Sequence, residues 1–456
     1  MQKFDAIIIG TGQAGPSLAA RCAAEGKKTA IIEKGAFGGT CVNTGCTPTK
    51  TLVASAKNAH MIRRSRDFGI EVTGEIKVDM KAVKARKDQI VTQSNTGLEN
   101  WLTNTENLTV FKGHARFESP KTISIDGGEV ITGDQIFINV GGRPVDLESF
   151  EGVNYLTSST IMDIDFVPEH LVVVGGSYIG LEFAQIYRRF GSQVTVIDKG
   201  DRLLRREDED VSAEVHRILE AEGIRFRFGA TCIGGKMEGD QVAVDVVCEK
   251  DEPVVYGSHV LLAIGRTPNT DDLGLEKAGV ETFGRGYIKV DDQLRTNVEG
   301  IWALGDCNGQ GGFTHTAYHD FEIAEANLYN NDPRRISDRI LCYALYIDPA
   351  LARIGLTEKE ARKSVKNLLI GKREMKRIAR AKEKSETFGF MKIMVDGDTD
   401  RIVGATILGI EGDEIIHSLL DIMYADAPYT VIRRAVHIHP TVSELIPTTL
   451  GDLKKA

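Results

Sequence analysis

The chain has 456 residues, 42% hydrophobic and 27% charged, a globular composition long enough for two to four domains. Acidic residues outnumber basic ones by 65 to 56, giving a net charge of −9, and no basic block supplies phosphate neutralisation, so nucleic acid is not an expected partner. No apolar run approaches the ~20 residues of a membrane span. The opening "MQKFDAIIIGTG" enters a strand without a signal peptide, and seven scattered cysteines form no secreted disulfide framework, so the expected compartment is the cytoplasm.

In chain order, "FDAIIIGTGQAGPSLAARCAAEGKKTAIIEK" (4–34) reads strand, glycine turn, helix, strand. Gly10, Gly12 and Gly15 form G-x-G-x-x-G, and Glu33 ends the second strand. Glycines here let backbone amides approach a pyrophosphate at a helix N-terminus, and the acid accepts from a ribose diol. "GGTCVNTGCTPTK" (38–50) follows, with Cys41 and Cys46 in a Gly- and Thr-rich setting. Their spacing is too wide for the C-x-x-C of redox or zinc sites. On these residues alone the pair is open between structural thiols, a metal site and a redox couple. Residues 79–104 have an amphipathic helical pattern, and 107–140 short strands with turns that end in "IFINVGGRP".

The first unit then recurs. "HLVVVGGSYIGLEFAQIYRRFGSQVTVIDK" (170–199) repeats strand, turn, helix and strand, with Ser177 at the middle glycine position and Asp198 at the strand end. Two such units imply two dinucleotides. "VLLAIGRTPNT" (260–270) and "GIWALGDCNG" (300–309) each end a strand in a glycine turn, and the last ~120 residues mix strands and helices in an α+β pattern. The expected architecture is α/β, with two Rossmann-like dinucleotide domains and a C-terminal α+β domain. The expected boundaries are 1–145 for the first dinucleotide domain, 146–270 for the second, 271–335 for a return to the first, and 336–456 for the interface domain.

With "GTGQAG", "GGTCVNTGCTPTK", "GGSYIGLEFA", "AIGRTPNT", "ALGDC" and "HIHPTVSE" in this order, the chain resembles the FAD-dependent pyridine nucleotide–disulfide oxidoreductases. That group includes lipoamide dehydrogenase, glutathione reductase and mercuric reductase. The resemblance implies that Cys41 and Cys46 form a redox disulfide, with Cys46 on the flavin side and Cys41 meeting substrate. A helix start near the pair would favour a thiolate. It also implies that Lys50 sits near the flavin and pairs with Glu182, and that Tyr178 covers the nicotinamide pocket. His439 and Glu444 would be an acid–base pair acting across a homodimer interface. FAD would be held by Gly10, Gly12, Gly15, Glu33, Thr40, Lys50, Gly142 and Asp306. NAD(P)H would be held by Gly175, Ser177, Tyr178, Gly180, Asp198 and Gly265, with the acid Asp198 favouring NADH, although Lys199, Arg202, Arg205 and Arg206 follow it.

No metal is expected to reside in the protein. Cys22, Cys232, Cys248, Cys307 and Cys342 read as structural, and His437 is left aside. The implied activity passes electrons from NAD(P)H through FAD and the disulfide to a small disulfide or soft metal ion. The chain differs from mercuric reductases in having no cysteine after Cys342. A transhydrogenase or diaphorase, or a noncatalytic flavoprotein subunit of a complex, are the alternative readings.

Overall fold

The computed structural model describes residues 1–231, 233–246 and 252–456. Its first sheet is built around the strand Gln2–Ile9, whose residues Ala6–Ile8 are fully buried. Such a strand suits the middle of a parallel sheet, where both faces are covered. It pairs in parallel with Thr29–Glu33 on one side and Glu129–Ile138 on the other, and Thr29–Glu33 pairs with Leu108–Lys112. The strands Ala115–Ser119 and Thr122–Ile125 continue the sheet antiparallel, and Ile301–Ala303 returns from far along the chain to pair with Ile136–Ile138. The amphipathic stretch forms a helix, Met80–Thr103, started by Asp79, whose carboxylate accepts from Ala82 N at 3.1 Å.

The second sheet is parallel throughout, in the order Arg225–Arg227, Gln193–Ile197, His170–Val174, His259–Leu262, Leu156–Thr157. A three-stranded antiparallel sheet of residues 233–238, 241–246 and 254–257 lies beside it. The chain passes between the two units through Gly142–Pro144 and Arg266–Pro268, which pair with each other. The C-terminal part is a six-stranded sheet that carries the hairpin Phe390–Asp396 and Arg401–Leu408 at its centre. The α/β class with a C-terminal α+β part, expected from the sequence, is therefore what the chain adopts.

Three parts of the chain share one core. Leu52 and Ala56 of the helix Cys46–Arg63 pack with Leu181 and Ala184 of the helix Tyr178–Phe190, and with Leu345, Leu351 and Phe390 of the C-terminal sheet. Each fully buried Leu or Phe contributes about 1.5–3 kcal/mol. This shared core fixes the helix that carries Cys46 against the second dinucleotide unit.

Candidate functional site

At the first turn, Gly10 has φ +101°, and a Cβ there would lie 2.4 Å from the Asn139 carbonyl oxygen. A Cβ at Gly15 would lie 2.2 Å from the Gly10 carbonyl oxygen. Glu33 accepts from Thr11 N at 2.9 Å, Thr11 Oγ1 at 2.6 Å and Gly35 N at 2.8 Å. Asn139 Nδ2 donates to the Gly12 carbonyl at 3.0 Å. A cavity of ≈ 940 Å³ runs from this turn and Glu33 past Asn139, Arg266 and Asp306 to Cys41, Cys46 and Lys50. Arg266 donates to Thr40 Oγ1 at 3.1 Å and to the Gly142 carbonyl, and its Nε lies 3.9 Å from Asp306. Burial raises the Asp306 carboxyl, opposed by Arg266. Glycines without room for a Cβ, an open helix start and an acid lining the cavity fit a dinucleotide. Gly142 does not line this cavity; its neighbour Gly141 does.

Cys41 lies within a short helix, Gly39–Asn43, and Cys46 is the first residue of the 18-residue helix Cys46–Arg63. Both cysteines are free thiols in this structure. Cys46 is lowered to about 6, chiefly by the hydrogen bond from Cys41, against burial and with help from Thr314 and Lys50. Cys41 is raised, first by that same hydrogen bond and then by burial. Thr314 Oγ1 lies 3.0 Å from Cys46 Sγ. Lys50 Nζ is 3.0 and 2.8 Å from the two carboxylate oxygens of Glu182, which also accepts from Tyr346 N at 2.9 Å. The same ammonium lies 4.5 Å from the Tyr346 ring centroid.

The second turn follows the first closely. Gly175 has φ +117°, and a Cβ on Gly180 would lie 2.0 Å from the Gly175 carbonyl oxygen. Asp198 accepts from Gly176 N at 2.7 Å and from Gly200 N at 2.6 Å. Ser177 caps the helix Tyr178–Phe190 in extended geometry without a side-chain capping bond. Tyr178 and Glu182 of this unit line the main cavity, whereas Gly175, Ser177, Gly180, Asp198 and Gly265 do not. Of the basic residues after Asp198, Arg202 pairs with Glu209 at 3.3 Å.

His439 and Glu444 meet each other, with Nδ1 at 3.0 and 2.9 Å from the two carboxylate oxygens, but neither lines the cavity. The His439 side chain is 74% exposed, and Val436 and Ile438 beside it are also exposed. Within one chain the pair therefore stands apart from the thiols. Among the lone cysteines, Cys22 is buried against Tyr329 Oη at 3.2 Å. Cys307 is buried and pushed up to about 12 by that burial. Cys342, expected to be structural, lines the cavity. Cys232 and Cys248 lie outside the described residues. The sequence reading missed Asn139, Arg266, Thr314 and Tyr346. Arg266 and Asn139 stand inside the quoted runs "AIGRTPNT" and "IFINVGG", but nothing local marks Thr314 or Tyr346.

Two dinucleotide-type turns, a thiol pair at a helix start and a lysine–glutamate pair beside it define a two-nucleotide redox protein. Residues 4–320 match the pyridine nucleotide-disulphide oxidoreductase model, and 342–450 match the dimerisation domain of the same family. The chain belongs to this family, and it is an FAD-containing, NAD(P)H-dependent oxidoreductase. It is 34% identical to a dihydrolipoyl dehydrogenase of Bacillus subtilis, with 97% of each chain covered. It is 32% identical to the probable pyridine nucleotide-disulfide oxidoreductase RclA of Escherichia coli, with 99% of each covered. The solved Cu(II) complex of RclA, described as an HOCl-induced flavoprotein disulfide reductase, superposes with a TM-score of 0.90 at 30% identity, covering 99% of both chains. Among the described residues no helix is long and apolar enough to cross a membrane.

Proposed function

We propose that the chain is a homodimeric, cytoplasmic NADH-dependent reductase that turns over the Cys41–Cys46 disulfide and hands its two electrons to a small disulfide. FAD, which Gly10, Gly12, Gly15 and Glu33 would hold, would supply the relay of two electrons from nicotinamide to sulfur. Two electrons and one proton break the S–S bond and leave one thiol and one thiolate. The observation that carries the reading is the placement of the thiol pair: Cys46 begins a helix, 3.0 Å from Thr314 Oγ1, and shares the cavity with Cys41 and Lys50. The hydrogen bond from Cys41 favours charge on Cys46 and leaves the proton on Cys41. Cys41 must lose that proton to attack substrate, which calls for a base.

We assign that base to His439 of the other subunit, oriented by Glu444, because its exposed imidazole does not line the cavity that holds Cys41 and Cys46. Lys50, held by Glu182, places positive charge beside the thiol pair, and Tyr178 covers the nicotinamide side of the cavity. Asp198 supports NADH, since an acid at this place takes a ribose diol and repels a 2′-phosphate.

A copper(II) substrate is the second reading, favoured by the structure of RclA as a Cu(II) complex. Two Cu(II) ions would each take one electron as the dithiol returns to disulfide. Among the described residues no cluster of three or more metal-binding side chains exists, so such an ion would meet the thiol pair itself. The test is anaerobic reduction with NADH, followed by challenge with lipoamide, glutathione disulfide and Cu(II), and by mass spectrometry of alkylated thiols. Cys41 and Cys46 should gain label on reduction and lose it with the true oxidant. Unchanged labelling after NADH would refute the electron path.

A further inference from the structure

Glu207 stands between the second sheet and the helix Glu209–Ala221, and its side chain is fully buried. One carboxylate oxygen accepts from the Tyr178 hydroxyl at 3.0 Å and also from the Tyr343 hydroxyl. The other accepts from Arg353 Nη1 at 2.7 Å. Tyr343 and Arg353 belong to adjacent strands of the C-terminal sheet, Cys342–Leu345 and Leu351–Gly355. Next to them, Lys392 pins Asp208 at 3.2 Å and Asp210 at 2.8 Å. The carboxylate is therefore held in place by the C-terminal domain.

Tyr178 has edge-on aromatic neighbours in Tyr343 and Phe313, with centroids at 5.5 and 6.2 Å. Those two rings stack on each other at 5.4 Å, 10° from parallel. Its hydroxyl is tethered to Glu207. Burial and the Glu207 charge raise both phenols, so both remain proton donors. The ion pair is not accounted for by stability. Arg353 is 1% exposed, and its Nε and Nη2 find no hydrogen-bond partner among the described residues. A buried pair left partly unsatisfied is commonly no more stable than apolar residues of the same size, and its best-attested use is to fix a particular arrangement.

We propose that Glu207 is a positioning residue that latches Tyr178 over the nicotinamide side of the cavity, so that entry of the pyridine nucleotide requires breaking one hydrogen bond to a carboxylate anchored in the C-terminal domain. The inference rests on the reading that Tyr178 is the cover. A cover that is mostly closed lowers the apparent affinity of any nucleotide that needs it open, in proportion to the open fraction. A hydrogen bond to a charged group shifts that fraction by about tenfold or more.

The test is calorimetric binding of NAD⁺ to the oxidised holoenzyme, which involves no turnover, with melting temperature measured alongside. Tyr178→Phe keeps the ring and removes the tether, and should bind NAD⁺ about tenfold more tightly. Tyr343→Phe removes the other phenol from the same carboxylate and should leave NAD⁺ affinity close to wild type. Glu207→Leu with Arg353→Met removes both buried charges together and avoids an orphaned arginine; it should reproduce the gain of Tyr178→Phe, and adding Tyr178→Phe to it should give nothing further. Wild-type or weaker affinity in Tyr178→Phe overturns the latch. If Tyr178→Ala nevertheless binds more tightly, the cover reading survives without the latch. If Tyr178→Ala also binds like wild type, the cover reading itself fails.

Discussion

Gly10 and Gly175 begin two turns that are superposable in their hydrogen bonding. Gly10 N donates to Ile32 O and Gly175 N to Ile197 O, both at 2.8 Å, and Asn139 N and Ala263 N close the opposite side on Ile9 O and Val174 O. Glu33 and Asp198 each accept from the backbone of the residue that follows the first glycine. The middle residue differs, Gly12 against Ser177. A Cβ on Gly12 would lie 3.2 Å from Asn139 Nδ2, and Gly39, just before Cys41, packs so close that its own Cβ would sit 3.0 Å from Gly12 Cα. In the second turn Ala263 stands in place of Asn139 and has no side chain to reach across. What a side chain at the middle position of the first turn would meet is thus Asn139, while the close packing of the thiol-bearing segment constrains Gly39. Beside these two turns, a third helix start without a side-chain cap lies at Gly45, just before Cys46.

The largest expected effect is at that third helix start. Alkylation of Cys46 by iodoacetamide in the reduced enzyme should rise with pH through a midpoint of about 6, against 9.0 for an ordinary thiol. Below the midpoint the sulfur is neutral and the rate falls; above it the thiolate is fully formed. Cys41→Ala removes the main stabilising donor and should move the midpoint upward, and an unchanged midpoint would refute that assignment. Next come Gly15→Ala and Gly180→Ala, each of which drives a methyl into a backbone carbonyl. Overpacking costs about 1–3 kcal/mol, and more where the backbone cannot yield. Gly15→Ala should lose FAD, measured as the flavin-to-protein absorbance ratio, whereas Gly180→Ala should keep FAD and lose NAD⁺ binding. Identical losses in both would erase the division of labour between the turns.

Asp198→Ala should raise the KM for NADH by about tenfold or more, because a charge-assisted hydrogen bond is worth ~1.5–3 kcal/mol. Equal changes for NADH and NADPH would show that Asp198 does not read the ribose. The smallest effect is the exchange of middle residues: Gly12→Ser should destabilise by ~1 kcal/mol, with weakened FAD retention, while Ser177→Gly should be nearly silent in a thermal melt.

What the sequence made legible was local. Both strand–glycine–helix units, the acids that end them and the thiol pair announce themselves within about thirty residues, because glycine spacing and backbone crowding are short-range constraints. What it hid depends on contacts between distant segments. Thr314 reaches Cys46 across 268 positions, and Tyr346 reaches Glu182 across 164. Lys199, Arg202, Arg205 and Arg206 stand out as a basic run after Asp198, while Glu207 beside them gave no sign that Arg353 would pair with it. Gly142, expected to hold FAD, pairs with Pro268 across the two short strands, and its neighbour Gly141 lines the cavity.

In the proposed mechanism each thiol pair works with His439 of the other subunit. His439→Gln alone should leave flavin reduction by NADH nearly intact and slow thiol–disulfide exchange by roughly 10²–10⁴-fold. The direct measurement is turnover after subunit exchange between a His439→Gln variant, strongly slowed by itself, and a Cys41→Ser variant, inactive by itself. In a mixed dimer one site combines wild-type Cys41 with wild-type His439 from its neighbour, so activity should return. No recovery in dimers proven to have exchanged would place His439 in its own subunit's site, or outside the chemistry.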